Sequence, residues 1–136
     1  MIRNKVILIA EDDADDRLLI KEAFEENQTS ATIIFFENGE ELLNYLKDFS
    51  KGEAAILPDL FILDLNMPKT NGKEVLKYLK EQNIFKEIPV IILTTSKLRE
   101  EEKNVLTMGA AGFYTKPSSF TELVDLTASV YRTWIV

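Results

Sequence analysis

The stretch that decides the fold is LFILD at residues 60–64, four apolar residues followed by the carboxylate of Asp64. A similar run, VILIA at residues 6–10, is followed by the acidic residues 11–13. Short apolar runs rich in Val, Ile and Phe are typical of strands that are covered on both faces. We therefore predict two buried strands, each of which ends in carboxylates.

Two other apolar runs end in polar side chains of a different kind. Residues 90–93 are followed by Thr94, and residues 112–115 are followed by Lys116. If all four strands lie parallel in one sheet, their carboxyl ends meet at the same edge. That edge would then carry three carboxylates, a hydroxyl and an ammonium group. Such a set can hold a divalent cation beside a phosphoryl group.

Segments with helical periodicity separate the apolar runs, which predicts repeated strand–helix units and a parallel sheet. Because the strands are apolar almost throughout, we expect helices on both faces of the sheet. The predicted strands lie near residues 5–10, 32–36, 59–63, 89–94 and 112–116. The predicted helices lie near residues 14–26, 38–49 (fraying by Gly52), 72–82, 98–108 and 119–136.

Right-handed crossovers between parallel strands favour the strand order 2-1-3-4-5 for five such units. In this order the direction of winding reverses between the first and third strands. Ligands bind beyond the carboxyl ends of the strands at that reversal. The first and third strands lead into Asp12 and Asp64 respectively, so we expect the functional site there.

Helix starts are predicted from capping residues. Asp13 is the expected cap of the first helix. Asn38 with Glu41, and Ser119 with Glu122, have the spacing of a capping box at the second and fifth helices.

Composition excludes several classes of function. The 136 residues, 46% hydrophobic and 29% charged, predict a single soluble globular domain over residues 1–136. The chain has no Cys and no His, which excludes disulfides, thiolate zinc sites and His-based triads. A net charge of -7 opposes binding to nucleic acid or to an anionic membrane. No apolar run is long enough for a signal peptide or a membrane span, so we expect a cytoplasmic protein.

Crowded carboxylates repel one another, and a hard cation with oxygen ligands relieves that repulsion. We expect Mg²⁺, bound directly by Asp12 and Asp64, with Glu11 holding a bound water. A carboxylate that shares Mg²⁺ with an incoming phosphoryl group can act as the nucleophile and form an aspartyl phosphate. Lys116 can supply a positive charge to a phosphoryl oxygen, and Thr94 a hydroxyl donor.

Over essentially its whole length, the chain resembles the response-regulator receiver domains of two-component signalling. The motif residues occur in the family's order, namely Glu11 and Asp12, Asp-Leu-Asn-Met-Pro at 64–68, Gly72, Thr94, Phe113 and Lys116-Pro117. The resemblance implies the α/β, flavodoxin-like (βα)5 receiver fold, a parallel five-stranded sheet of order 2-1-3-4-5 with helices on both faces. The strand order is thus recognised as much as derived.

The resemblance also implies roles for individual residues. Asp64 is the implied phosphoacceptor. Asp12 and the main-chain carbonyl of Asn66 join it on Mg²⁺, and Lys116 contacts the phosphoryl group.

A conformational switch is implied as well. In the family, the hydroxyl at the Thr94 position moves toward the phosphate and the aromatic ring at the Phe113 position turns inward. This reshapes the surface of the fourth helix, fifth strand and fifth helix. Phe113 replaces the commoner tyrosine and so removes a phenol hydroxyl. The family also suggests a cis bond between Lys116 and Pro117, which the sequence does not determine.

As a function, the resemblance implies a single-domain response regulator that accepts a phosphoryl group from a sensor histidine kinase. It would act through contacts with a downstream effector protein. It would not be an enzyme, although it would assist its own phosphorylation and dephosphorylation. The long stretch of residues 44–58, the sequence DLNMPK at 64–69 and the aromatic carboxyl end resemble receivers associated with phytochrome-type kinases.

An aspartyl-phosphate enzyme and a flavin- or nucleotide-binding module are alternative functions, and a third, an unphosphorylated pseudo-receiver used only for docking, is disfavoured because every site position is filled. A phosphatase or phosphotransferase that turns over through an aspartyl intermediate usually has an acid two residues after the nucleophile. Asn66 stands there and cannot act as a general acid. A flavin- or nucleotide-binding module of the flavodoxin type needs a Gly-, Ser- or Thr-rich loop after the first strand. Residues 11–16 are instead strongly acidic.

Several residues have interpretations that do not involve the site chemistry. Asp13, Asp15 and Asp16 are expected to cap the first helix and to favour its positive end. Ser96 is expected close enough to the site to affect the access of water. The apolar residues 131–136 either close the core over the sheet edge or form the seam of a homodimer.

Overall fold

The computed structural model describes residues 4–51 and 57–136, which form a parallel sheet with helices on both faces. The strands are β1 (Val6–Ala10), β2 (Thr32–Phe36), β3 (Leu60–Leu63), β4 (Val90–Thr94) and β5 (Gly112–Thr115). Their order is β2-β1-β3-β4-β5, and each neighbouring pair is parallel. The predicted strands and the predicted strand order are confirmed.

Five α-helices follow the strands in alternation. They are α1 (Ala14–Glu26), α2 (Gly39–Lys47), α3 (Gly72–Glu81), α4 (Arg99–Thr107) and α5 (Phe120–Trp134). The second helix is shorter than predicted, because residues Asp48–Lys51 form a 3₁₀ helix instead. Phe49, in this tighter turn, packs edge-on against Tyr45 and Phe85, with ring centroids 5.7 Å from each. The predicted fraying near Gly52 lies outside the described residues.

Alternate residues of each strand point to opposite faces of the sheet and build two cores. On one face Leu8 and Phe61 pack with apolar residues of α2, α3 and α4. On the other face Ile7 and Ile62 pack with apolar residues of α1 and α5. Both faces are therefore covered, as the continuous apolar character of the strands predicts.

Capping side chains start the helices largely as predicted. Asp13 Oδ1 accepts from the N–H of Asp16, and Ser119 Oγ accepts from the N–H of Glu122. Asn38 Oδ1 accepts from the N–H of Glu41, but the Glu41 carboxylate accepts from Glu37 N–H rather than returning to Asn38. A complete, reciprocal capping box was not predicted and occurs at Asn71 and Glu74 of α3.

At the carboxyl end, Ile135 is buried, and Tyr131 and Trp134 pack against the core between the sheet, α1 and α5. These side chains close the core, which was one of the two interpretations left open; a homodimer stays a prediction. Among the described residues, none of the helices combines the length and apolar character needed to cross a membrane.

Candidate functional site

The sheet itself fixes the backbone of the acidic residues at its carboxyl edge. The N–H of Asp64 donates to the carbonyl of Ala10 at 3.1 Å, and the N–H of Glu11 donates to the carbonyl of Phe36 at 3.0 Å. The hydrogen-bond ladder therefore extends one residue beyond β1 and β3. The side chains that follow these strands project from a rigid support.

Three carboxylates meet at this edge. One oxygen from each of Glu11, Asp12 and Asp64 lies within 4.8 Å of the other two. Opposite ligands of an octahedral Mg²⁺ are about 4 Å apart, so oxygens of Asp12 and Asp64 lie close enough to be brought onto one such ion, with Glu11 beside it. Glu11 and Asp64 are buried, whereas Asp12 is exposed, so the cluster opens to solvent on the Asp12 side.

Lys116 reaches into the same cluster from the end of β5. Its Nζ lies 2.6 Å from Glu11 Oε1, 2.8 Å from Asp16 Oδ2 and 3.1 Å from Asp64 Oδ2. An ammonium group has three N–H donors, and three carboxylates surround this one. Lys116 is only 11% exposed, so these interactions are partly shielded from water.

Electrostatics at the cluster follow from this burial. Burial raises the pKa of Glu11 to about 7, while its hydrogen bond with Lys116 opposes the shift and the charge of Asp64 adds to it. For Lys116, burial lowers the pKa, but the hydrogen bonds to Asp16 and Glu11 outweigh burial and raise the pKa above its ordinary value. The ammonium therefore stays charged at neutral pH.

Thr94 ends β4 beside Lys116 and is fully buried. Its carbonyl accepts from the N–H of Lys116 at 2.7 Å, and its hydroxyl oxygen accepts from the N–H of Ser96 at 3.5 Å. Ser96 Oγ in turn donates to Glu101 of α4 at 2.7 Å. A chain of contacts therefore connects the Thr94 hydroxyl with α4.

The other predicted site residues lie in the adjoining loops and in β5. The N–H of Asn66 donates to Asp64 Oδ1 at 3.2 Å, which turns the loop back over the carboxylate. Phe113 is half-buried and packs against the core on the α2–α4 face. The Lys116–Pro117 bond is trans, in contrast to the cis bond that the family suggests.

Gly72 allows α3 to start against the backbone of Asp64. A Cβ at this position would lie 2.2 Å from the Asp64 carbonyl oxygen and 3.0 Å from Leu65 Cα. The N–H of Gly72 also donates to the Leu65 carbonyl at 3.2 Å. Because backbone atoms rather than flexible side chains fill this space, only glycine fits here without displacing the loop that carries Asp64.

Comparison with known proteins identifies the family. Residues 7–128 match the family model described as the response regulator receiver domain. The chain belongs to this family. The relatives of this receiver include the probable methanogenesis regulatory protein FilR2 of Methanothrix harundinacea, 31% identical over 96% of this chain and 83% of FilR2.

Two further response regulators are similar in sequence and structure. The response regulator Rcp1 of Synechocystis is 29% identical over 96% of this chain and 89% of Rcp1. Its Mn²⁺-bound crystal structure matches with a TM-score of 0.85, over 96% of this chain and 94% of that one. The phosphorylated cyanobacterial phytochrome response regulator RcpA matches with a TM-score of 0.88 at 29% identity, over 98% and 95% of the two chains.

Family membership gives this receiver a role in two-component signalling. The aspartyl-intermediate enzyme and the flavodoxin-type binding module are not favoured. The acidic residues at 11–13 follow β1, where a flavin- or nucleotide-binding module would need a phosphate-binding loop.

One residue that contacts Lys116 has a different role in the sequence-based prediction. The sequence predicts that Asp16 caps the first helix and favours its positive end, yet its carboxylate contacts Lys116, one hundred residues later in the chain. No local signal predicts this contact, because it depends on how the start of α1 and the end of β5 are placed by the sheet. The spacing of Asp16 from its cap, Asp13, indicated only a helix start.

Proposed function

We propose that this response regulator accepts a phosphoryl group from a sensor histidine kinase on Asp64. The observation that carries the proposal is the setting of the Asp64 carboxylate. One of its oxygens lies 3.1 Å from the Lys116 ammonium, and the carboxylates of Glu11 and Asp12 lie beside it. A buried nucleophile next to both a fixed cation and a candidate metal site suits phosphoryl transfer, which needs positioning and charge neutralisation above all.

Mg²⁺ is the proposed cofactor. Asp12 and Asp64 would bind it directly, the main-chain carbonyl of Asn66 would join them, and Glu11 would hold a bound water. The close approach of the three carboxylate oxygens and the Mn²⁺-bound form of Rcp1 support this assignment. When bound, the ion would neutralise charge on the carboxylates and on the incoming phosphoryl oxygens.

The residues of the chain carry the transfer itself. An oxygen of Asp64 attacks phosphorus, the new O–P bond forms, and the P–N bond to the kinase histidine breaks with its electron pair left on the imidazole. Lys116 donates an N–H to a phosphoryl oxygen, and the Thr94 hydroxyl donates to another. Hydrolysis of the product by water returns the carboxylate, so the chain assists its own phosphorylation and dephosphorylation without acting on a separate substrate.

The signal would leave the site through Thr94 and Phe113. Movement of the Thr94 hydroxyl toward the phosphate would withdraw the acceptor of the Ser96 N–H and disturb the contact with α4. The Phe113 ring, which is half-buried, would turn further inward. The surface of α4, β5 and α5 would thereby change its affinity for a downstream effector protein.

The proposed partner is a kinase of the phytochrome type. The similarity to RcpA, which is described as a cyanobacterial phytochrome response regulator, supports this proposal. The receiver domain over residues 1–136 would act through protein contacts and not on nucleic acid.

Phosphorylation at Asp64 can be tested directly. Incubation with Mg²⁺ and a small phosphodonor should add one phosphoryl group that hydroxylamine removes, as measured by intact mass. Asp64→Asn should abolish the label. Asp15→Asn is the matched control, since it removes one exposed charge nearby and should leave labelling intact. Undiminished labelling of Asp64→Asn would disprove the proposed site.

A further inference from the structure

We propose that Asp16 is a positioning residue that holds the Lys116 ammonium at the phosphoacceptor while the other carboxylates around it change partners. This inference rests on the proposed function of Asp64 and extends it. Asp16 Oδ2 lies 2.8 Å from Lys116 Nζ, closer than Asp64 Oδ2 at 3.1 Å. The ion pair therefore contributes to the placement of the ammonium.

The three N–H donors of Lys116 are shared among Glu11, Asp16 and Asp64 before any reaction. To bind a phosphoryl oxygen, the ammonium must release one of these acceptors. Glu11 and Asp64 also belong to the cluster that fits a cation, and a cation would draw their oxygens away from Lys116. Asp16 is not one of the three clustered carboxylates, so it remains available as the anchor of Lys116.

The backbone of Asp16 is firmly held. Asp16 is the third residue of α1, and its N–H donates to the cap Asp13 at 3.0 Å. An acidic side chain at this position often returns to the N–H of the cap. Here Glu11 Oε2 accepts from the Asp13 N–H at 3.1 Å. The Asp16 carboxylate is therefore not used to cap α1 and contacts Lys116 instead.

A purely structural role for Asp16 would be favourable interaction with the positive end of α1. Asp15, the preceding residue, also lies in the first turn of α1 but is exposed. Its replacement by Asn removes the same charge as Asp16→Asn. Asp15→Asn is therefore the matched control for Asp16→Asn. Any difference between the two variants reports on the contact with Lys116 rather than on the helix end or on net charge.

The first experiment measures the initial rate of labelling by a small phosphodonor over a range of Mg²⁺ concentrations. We expect Asp16→Asn to lower the rate at saturating Mg²⁺ by about five- to tenfold, the effect of one partly exposed charge-assisted hydrogen bond. Asp15→Asn should change the rate by less than about twofold, and Asp16→Glu, which keeps an acceptor, should recover part of the loss. The two Asn variants should share the same half-saturating Mg²⁺ concentration.

The second experiment repeats Asp16→Asn in a Lys116→Gln background. With no ammonium to hold, Asp16→Asn should have no further effect on the slow residual labelling rate. In metal-free protein, the losses in melting temperature caused by Asp16→Asn and Lys116→Gln should likewise be less than additive.

Equal rates for Asp16→Asn and Asp15→Asn, or an equal fold-loss in both Lys116 backgrounds, would overturn the role of Asp16 and leave the phosphoacceptor assignment intact. Additive losses in melting temperature would also overturn it. Absence of label on the wild-type chain, or label that survives Asp64→Asn, would instead refute the proposed function together with this extension of it.

Discussion

At the residue scale, Lys116 compensates the charges of a buried acidic cluster. Its ammonium contacts Glu11, Asp16 and Asp64, and two of these three carboxylates are nearly inaccessible to water. Removal of one partner from a buried ion pair leaves uncompensated charge, which costs more than the intact pair contributes. Lys116 is therefore expected to stabilise the fold as well as to contact the phosphoryl group.

We predict that Lys116→Gln lowers the free energy of unfolding by about 3 kcal/mol at about pH 8. Burial raises the pKa of Glu11 from 4.5, its ordinary value, to about 7 in the folded protein, so protonation of Glu11 stabilises the fold. The stabilisation from protonated Glu11 is fully present below pH 4.5 and is lost as the pH rises through about 7. The loss in Lys116→Gln should accordingly be smaller in acid, because a neutral Glu11 no longer needs a counter-charge.

Urea denaturation at several pH values measures this effect. Lys103→Gln, at an exposed position of α4, is the control and should change the free energy of unfolding by less than about 0.5 kcal/mol. Added Mg²⁺ should stabilise Lys116→Gln more than it stabilises the wild type, because a bound cation replaces the lost charge. A loss that is independent of pH and of Mg²⁺ would contradict this explanation.

At the element scale, the start of α3 fixes the loop that carries Asp64. Asn71 and Glu74 cap the helix reciprocally, and Gly72 lies directly against the Asp64 backbone. The cap stabilises the helix, whereas the glycine sets the distance between helix and loop. The two features should respond differently to mutation.

We predict that Asn71→Ala costs about 1 kcal/mol of stability, the usual value of a lost cap, and leaves phosphorylation unchanged. Gly72→Ala should cost about 1–3 kcal/mol, because its Cβ overlaps backbone atoms, and should also slow labelling of Asp64 by displacing the loop. Chemical denaturation and the labelling assay together separate the two effects. Normal labelling of a folded Gly72→Ala would show that the contact does not position Asp64.

At the scale of the whole molecule, two cores hold the sheet between its helix layers. Phe61 is fully buried on the α2–α4 face and packs edge-on against Phe85, with ring centroids 6.2 Å apart. Phe61→Ala should lower the free energy of unfolding by about 3–5 kcal/mol, since both transfer and cavity costs apply. Leu18→Ala, at a position 53% exposed, should change it by less than about 0.5 kcal/mol. If urea denaturation gave the same loss in the free energy of unfolding for Phe61→Ala and Leu18→Ala, the assignment of Phe61 to the core would be contradicted.

The sequence by itself determined the architecture of this receiver. Apolar runs identified the strands, helical periodicity and caps identified the helices, and the polar residues that end the strands predicted one edge as the candidate site. These signals are local, because strand alternation, helix periodicity and capping each act within a few residues. Even so, the predicted end of α2 is wrong, since residues 48–51 form a 3₁₀ helix whose Phe49 packs against Phe85 of a distant segment.

Only the tertiary structure decided how the charges are shared at that edge. The pairing of Lys116 with Asp16 and the fit of Gly72 against Asp64 both depend on how separate segments meet. The packing of the sheet and the helices sets the distances between these residues, which are far apart in the chain. Spacing along the sequence carries no record of such distances, so the sequence predicts candidate site residues, and the folded structure gives their contacts and adds Asp16.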